Sequence, residues 1–111
     1  MFELKTIVAM PAFNEEAFIA EMVIGAKKHS DEVIVIDDGS IDRTSEIAEE
    51  NGACVVRHHK NLGKGAAVQT IIEEVRMRDA DVLIIMDADG QHNPDEIPRL
   101  INSLNGGDID L

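Results

Sequence analysis

Apolar residues along this chain fall into two alternating rhythms: short unbroken runs, and longer stretches with a single apolar face. Leu4 to Met10, Val33 to Ile36, Ala53 to Val56 and Val82 to Met86 are runs of the first kind and predict strands, the last of them buried on both faces. Between them, Phe18, Ile19, Met22, Val23 and Ala26 have helical spacing. Asn14 is expected to cap that helix, with Glu15 and Glu16 in its first turn. A second helix is expected from a cap at Asp42 to a stop at Asn51-Gly52. Ala67, Val68, Ile71, Ile72 and Val75 predict a third. Ile97, Leu100, Ile101 and Leu104 predict a fourth, opened by a capping box of Asn93 and Glu96 around Pro94 and closed by Asn105-Gly106-Gly107. Asp108 to Leu111 reads as the opening of a fifth strand.

Strict alternation of strand and helix argues an α/β fold: a doubly wound, mainly parallel sheet with helices on both faces. The common strand order for such a sheet, 3-2-1-4, is the expectation here. The 111 residues make one domain with an ordinary core. Stopping on a nascent strand, residues 1–111 are expected to be the front half of something longer, or a domain with a weak last strand.

Composition narrows the chemistry. An apolar fraction of 44% suits a globular chain, and aromatics at 3% leave the core to aliphatic residues. A formal net charge of −12 excludes nucleic acid as a partner, because the phosphate backbone demands Lys and Arg. Much of that acidity is expected on solvated helix faces, at Glu46, Glu49, Glu50, Glu73 and Glu74. The single cysteine, Cys54, sits in an apolar run and is expected to be a buried, inert thiol. One cysteine forms no internal disulfide, which fits a reducing, cytoplasmic setting, free or at the cytoplasmic face of a membrane. No apolar stretch approaches membrane-spanning length.

Three polar clusters follow strand ends: Pro11 to Glu16, Asp37 to Ser40, and Asp87 to Gln91. In a 3-2-1-4 sheet all three share one edge, where ligands of open α/β sheets bind. Asp87 and Asp89 are two apart, so in extended backbone they point the same way. Two bare carboxylates about 4 Å apart repel by roughly 4 kcal/mol at an effective dielectric of ~20. A divalent cation reverses that penalty, and Mg²⁺ or Mn²⁺ held by one or two carboxylates usually also binds substrate phosphates. Gly63-Lys64-Gly65 can bring backbone N–H groups and one ammonium to a phosphate at a helix N-terminus, although neither the Walker nor the G-x-G-x-x-G spacing is present. Asp37 and Asp38 face opposite ways, so one is free to be a turn residue before Gly39. His58-His59 is expected to be a solvated loop pair, and His92 lies beside the acidic motif.

Pro11-Ala12-Phe13-Asn14-Glu15, Val33-Ile34-Val35-Ile36-Asp37-Asp38-Gly39-Ser40, Asn61-Leu62-Gly63-Lys64-Gly65 and Asp87-Ala88-Asp89-Gly90-Gln91-His92 occur in register. In this order they resemble the family-2 glycosyltransferases of GT-A fold, in their dolichol-phosphate mannosyltransferase-like, polyprenyl-phosphate branch. The resemblance implies a nucleoside-diphosphate sugar, UDP- or GDP-linked, as donor. It implies that Pro11, Phe13, Glu15 and one of Asp37 or Asp38 hold the nucleoside, within a donor set that also includes Ala12, Asn14, Ile36, Gly63, Lys64, Asp87, Ala88 and Asp89. Asp87, Asp89 and Gln91 would hold Mg²⁺ or Mn²⁺ on the diphosphate. Transfer to a polyprenyl phosphate, with inversion in one in-line displacement, is the implied reaction. Phe13 stands where such proteins often carry Tyr, so a hydroxyl is lost. They also continue into an acceptor-binding segment, which residues 1–111 are expected not to contain, and no general base is identified. The chain alone is therefore expected to bind nucleotide and metal weakly and to transfer sugar poorly; a purely nucleotide-sugar-binding, non-catalytic domain is the alternative. A receiver domain would place its acids after strands one and three and needs a late Lys. A haloacid-dehalogenase-type phosphatase would place its acid pair after strand one. A sugar-nucleotide pyrophosphorylase would need a Gly- and Arg-rich loop there.

Overall fold

The computed structural model describes residues 4–105, with side chains to residue 102. Four strands, β1 (Thr6–Ala12), β2 (Glu32–Asp37), β3 (Cys54–Arg57) and β4 (Val82–Ile85), form one parallel sheet in the order β3-β2-β1-β4. The helices are α1 (Ile19–Lys27), α2 (Thr44–Glu50), α3 (Lys64–Arg76) and α4 (Ile97–Asn105), the last entered through a 3₁₀ turn over Pro94–Glu96. The expected fold class and strand order are both present. The expected fifth strand at Asp108 to Leu111, and the glycines closing the fourth helix, lie outside the described residues.

Alternation within β1 divides the core in two. Val8, Met10 and Ala12 pack with Val33 and Val35 of β2 under α1, α2 and α4, through Ile19, Met22, Val23, Ala26, Ala48 and Ile97. Ile7 and Ala9, with Ile34 and Ile36, meet Ala67 and Ile71 of α3 on the other face. Both faces of β1 and β2 are thus dry, which is why their sequences read as continuous apolar runs.

β4 departs from that expectation. Its Ile85 is 41% exposed, because β4 pairs with β1 alone among the described strands and α3 packs over β1 and β2. Cys54 is likewise exposed rather than buried. It lies on edge strand β3, with its sulfur 3.5 Å from the Arg78 guanidinium. Arg78 also pairs with Glu32 and Glu74, so Glu74 is tied down while its expected companions on the acidic faces stay exposed.

Pro11 sits within β1 without loss of a ladder bond. Ala9 O accepts from Met86 N, so odd-numbered positions of β1 turn their peptide groups toward β4. The last β1–β4 pair is Ala9 with Ile85. Pro11 lies past it, and its missing N–H removes no ladder bond. Beyond this point β1 and β4 diverge, opening a crevice at the carboxyl edge.

Helix entries follow the sequence only in part. α1 begins at Ile19, after Phe18, and not at an Asn14 cap. Asn14 instead adopts a left-handed backbone (φ 53°), which Asn tolerates better than most residues. Its N–H donates to Ser40 Oγ (2.8 Å) and its Oδ1 accepts from Ile41 N (3.0 Å), stitching the loop after β1 to the loop after β2. Asp42 does accept from Thr44 N (2.9 Å) and from the Thr44 hydroxyl, although the residue flanking α2 is Arg43. Asn51 and Gly52 (φ 96°) end α2 as expected. Asn93 Oδ1 accepts from Asp95 N (3.0 Å), with Pro94 at the first position of the turn.

Candidate functional site

At the carboxyl edge a cavity of about 220 Å³ collects residues from four segments. Pro11, Ala12 and Phe13 come from the end of β1, Asp38 from the end of β2, Asn61, Gly63, Lys64 and Ala67 from the entry of α3, and Asp87 from the end of β4. It lies where the strand order reverses, between β1 and β4, the expected ligand crevice of such a sheet.

The two adjacent aspartates after β2 have separate tasks. Asp37 is 0% exposed; its Oδ1 accepts from Ser40 N (2.9 Å) and its Oδ2 from the Ser45 hydroxyl, so it binds its own loop to α2. It does not line the cavity. Asp38, 5% exposed, does. Its carboxylate accepts from Leu62 N (2.8 Å), Gly63 N (2.9 Å) and His58 Nδ1 (2.8 Å). Burial pushes its pKa up, but the hydrogen bonds from His58 and from the two amides outweigh that and hold it below the ordinary aspartate value. Gly39 (φ 78°) lets the loop after β3 pass directly over it; a Cβ there would collide with the Lys60 carbonyl carbon and Asn61 N.

His58 therefore differs from the expected solvated ring. Only 10% of its side chain is exposed, held between Asp38 and Thr70 Oγ1 (2.9 Å). Alternation along β3 did not reveal this, since His58 lies just past the strand's end. His59 is exposed as expected.

Gly63 (φ 96°) turns the chain into α3. The first helical bond is Ala67 N to Gly63 O, so the N–H groups of Lys64, Gly65 and Ala66 have no partner within the helix. Lys64 Nζ reaches Asp87 Oδ1 at 2.8 Å, and that bond raises the lysine pKa. Met86 and Ala88 point into the core under α4, which turns Asp87 the other way, into the cavity.

The remaining expected donor residues stand as follows. The Ile36 and Ala88 side chains are buried in the core, and Asn14 is occupied with the neighbouring loop. Glu15 is half-buried; burial first, then the charges of Asp89, Asp42 and Asp87, raise its pKa. Glu15 thus sits within the field of the acidic pair. Asp89 Oδ1 accepts from Gln91 N (3.0 Å), and His92 Nδ1 accepts from Asp87 N (3.1 Å), folding the loop after β4 back on itself. Asn61 and Ala67 are cavity residues not included in the expected donor set; Asn61 was visible in the Asn61 to Gly65 motif.

Among the described residues, no three His, Cys, Asp or Glu side chains are grouped as a metal site. The donor set still suits a hard divalent cation. Asp87 and Asp89 each keep one carboxylate oxygen with no protein donor assigned, and Mg²⁺ needs only one or two carboxylates when phosphate and water complete its shell.

Fold and crevice define an α/β domain of the GT-A type. Residues 7–111 match the family model Glycosyl transferase family 2, and the chain belongs to that family. An uncharacterized protein of Methanocaldococcus jannaschii is 42% identical over 98 residues, covering 87% of this chain and 40% of that protein. The UDP-N-acetylglucosamine–dolichyl-phosphate N-acetylglucosaminyltransferase of Methanococcus voltae is 33% identical over 113 residues, covering 86% of this chain and 45% of the enzyme. Among solved structures, glucosyl-3-phosphoglycerate synthase of Mycobacterium tuberculosis, in complex with Mn²⁺, UDP and glucosyl-3-phosphoglycerate, superposes with a TM-score of 0.76 at 29% identity. That match covers 91% of this chain and 39% of the synthase. The chain thus spans less than half the length of the relatives it matches.

Proposed function

We propose that this chain is the donor-binding part of a metal-dependent, inverting glycosyltransferase that takes a hexose from a UDP- or GDP-linked sugar and delivers it to a polyprenyl phosphate. The observation that carries the reading is the convergence of Asp38, the α3 N-terminus with Lys64, and Asp87 on one cavity at the sheet's switch point. The dolichyl-phosphate transferase and the UDP- and Mn²⁺-bound synthase among its relatives support the acceptor and donor classes.

Each group has a chemical task. Asp38, held ionised, accepts one hydrogen bond from a ribose hydroxyl or a base N–H. Phe13, 45% exposed, offers an apolar face to the base. The free amides of α3 and the Lys64 ammonium attract the diphosphate. Asp87, Asp89 and Gln91 are the residues that would hold Mg²⁺ or Mn²⁺. When bound, the cation neutralises charge developing on the leaving diphosphate. In the transfer itself an acceptor phosphate oxygen attacks the anomeric carbon as the carbon–oxygen bond to the diphosphate breaks. That nucleophile is already anionic and needs no general base from this chain.

Calorimetric titration of UDP and GDP, with and without Mn²⁺, tests the reading. One of the two should bind only with the metal, and Asp89→Ala should abolish that binding. Equal binding by wild type and Asp89→Ala, or none by wild type, rejects the site. Transfer to polyprenyl phosphate by the 111 residues alone is expected to be poor, and robust turnover would reject that part.

A further inference from the structure

His58 is not a lining residue of the cavity, yet it hydrogen-bonds one, Asp38, and only 10% of its side chain is exposed. We propose that His58 is a positioning residue: it fixes the Asp38 carboxylate so that one oxygen alone is presented to the nucleoside. The inference rests on reading the cavity as a nucleoside-diphosphate site.

The hydrogen-bond count leads there. An ionised carboxylate accepts only, with about two lone-pair sites on each oxygen. Asp38 Oδ1 already takes Leu62 N and His58 Nδ1, both at 2.8 Å, and is filled. Oδ2 takes Gly63 N alone, at 2.9 Å, and keeps one acceptor site. Since Asp38 cannot donate, His58 Nδ1 carries the proton of that contact.

The imidazole is itself anchored at both ends. The backbone N–H of His58 donates to Asp37 O (2.8 Å), and its Nε2 lies within hydrogen-bond distance of Thr70 Oγ1 (2.9 Å) on α3. The line Asp38–His58–Thr70 ties the end of β2 to the helix whose N-terminus faces the diphosphate position. Rotation of the carboxylate would break the His58 contact and both loop amides together. His58 thus aims Asp38 without meeting the ligand.

Binding measurements on the intact chain separate this from a merely structural role. The probes are Mn²⁺ with whichever of UDP and GDP binds wild type more tightly, and Mn²⁺ with inorganic pyrophosphate, which lacks the nucleoside. His58→Phe keeps a ring and removes both contacts; it should weaken the nucleotide by about tenfold or more, with pyrophosphate within about twofold. His58→Asn, which retains a donor near the Nδ1 position, should restore nucleotide affinity to within about threefold of wild type. Nucleotide binding by His58→Phe within about twofold of wild type overturns the proposal, as does an equal loss for both probes. Should that variant fail to fold, Thr70→Val decides: about threefold weaker nucleotide binding with unchanged pyrophosphate upholds it, and unchanged nucleotide binding overturns it. Failure of wild type to bind either nucleotide overturns the cavity reading and this one with it, and is visible before any variant is made.

Discussion

Lys64 Nζ lies 2.8 Å from Asp87 Oδ1, so a cation from the start of α3 already rests on one of the two carboxylates expected to hold a metal. The ammonium softens the repulsion within the acidic pair and competes with any second cation there. With a diphosphate present, the same ammonium has a better partner. Lys64→Ala is therefore expected to tighten Mn²⁺ binding in the absence of nucleotide, by about two- to fivefold, the range of exposed pairs. It should at the same time weaken the Mn²⁺–nucleotide complex. Proton relaxation of Mn²⁺-bound water reads the first change and calorimetry the second.

Asp37 is a tether for the loop that presents Asp38, and its removal should cost stability before it affects chemistry. Asp37→Ala leaves the buried Ser40 N–H and Ser45 hydroxyl without their acceptor. The expected loss is about 2–4 kcal/mol in urea unfolding. A Ser45→Ala change, which leaves one Asp37 oxygen without its donor, should cost less.

Acid should act through Asp38. Its folded pKa lies below the ordinary value, so the native state binds its proton less readily than the unfolded chain. The stabilisation is complete above the unfolded value of about 3.9 and is lost as pH falls through the lower folded one. Asp38→Asn should therefore be less stable than wild type by about 1–3 kcal/mol at neutral pH. The gap should narrow as pH drops below 4 toward the folded value. Paired urea titrations across that range check the sign; a gap that widens in acid contradicts it.

Among the described glycines of positive φ, Gly39 is the one whose added Cβ would strike backbone atoms. With φ at 78° and the Lys60–Asn61 peptide directly above, Gly39→Ala meets both dihedral strain and a backbone collision. A loss of about 2–3 kcal/mol in urea is expected, with weaker nucleotide binding because the loop carrying Asn61 must lift.

The strands and their order were legible because both faces of β1 and β2 are buried, which writes itself as uninterrupted apolar sequence. The same logic misjudged Ile85 and Cys54: an apolar residue in a strand reads alike at the centre and at the rim of a sheet. Asn14 reads as a helix cap yet forms a left-handed turn, because capping and left-handed turn chemistry favour the same residue. That Asp38 and Asp87 share one edge followed from topology, since the carboxyl ends of parallel strands lie together; Lys64 came from the Gly63 to Gly65 motif and not from strand order. Which of Asp37 and Asp38 faces outward did not follow, because alternation says only that they differ. His58 was invisible for a further reason: its partners, Asp38 and Thr70, lie 20 and 12 residues away, and no periodicity joins them.

Pro11 has a consequence beyond its tolerated place in β1. Strand pairing tends to propagate like a zipper, each new bond registering the next, and β1 offers β4 a free flank beyond Ala9. A residue without an amide hydrogen halts that closure at its first step. At the mouth of the crevice the next bond along this flank of β1 is therefore unavailable, whichever side chains line the gap.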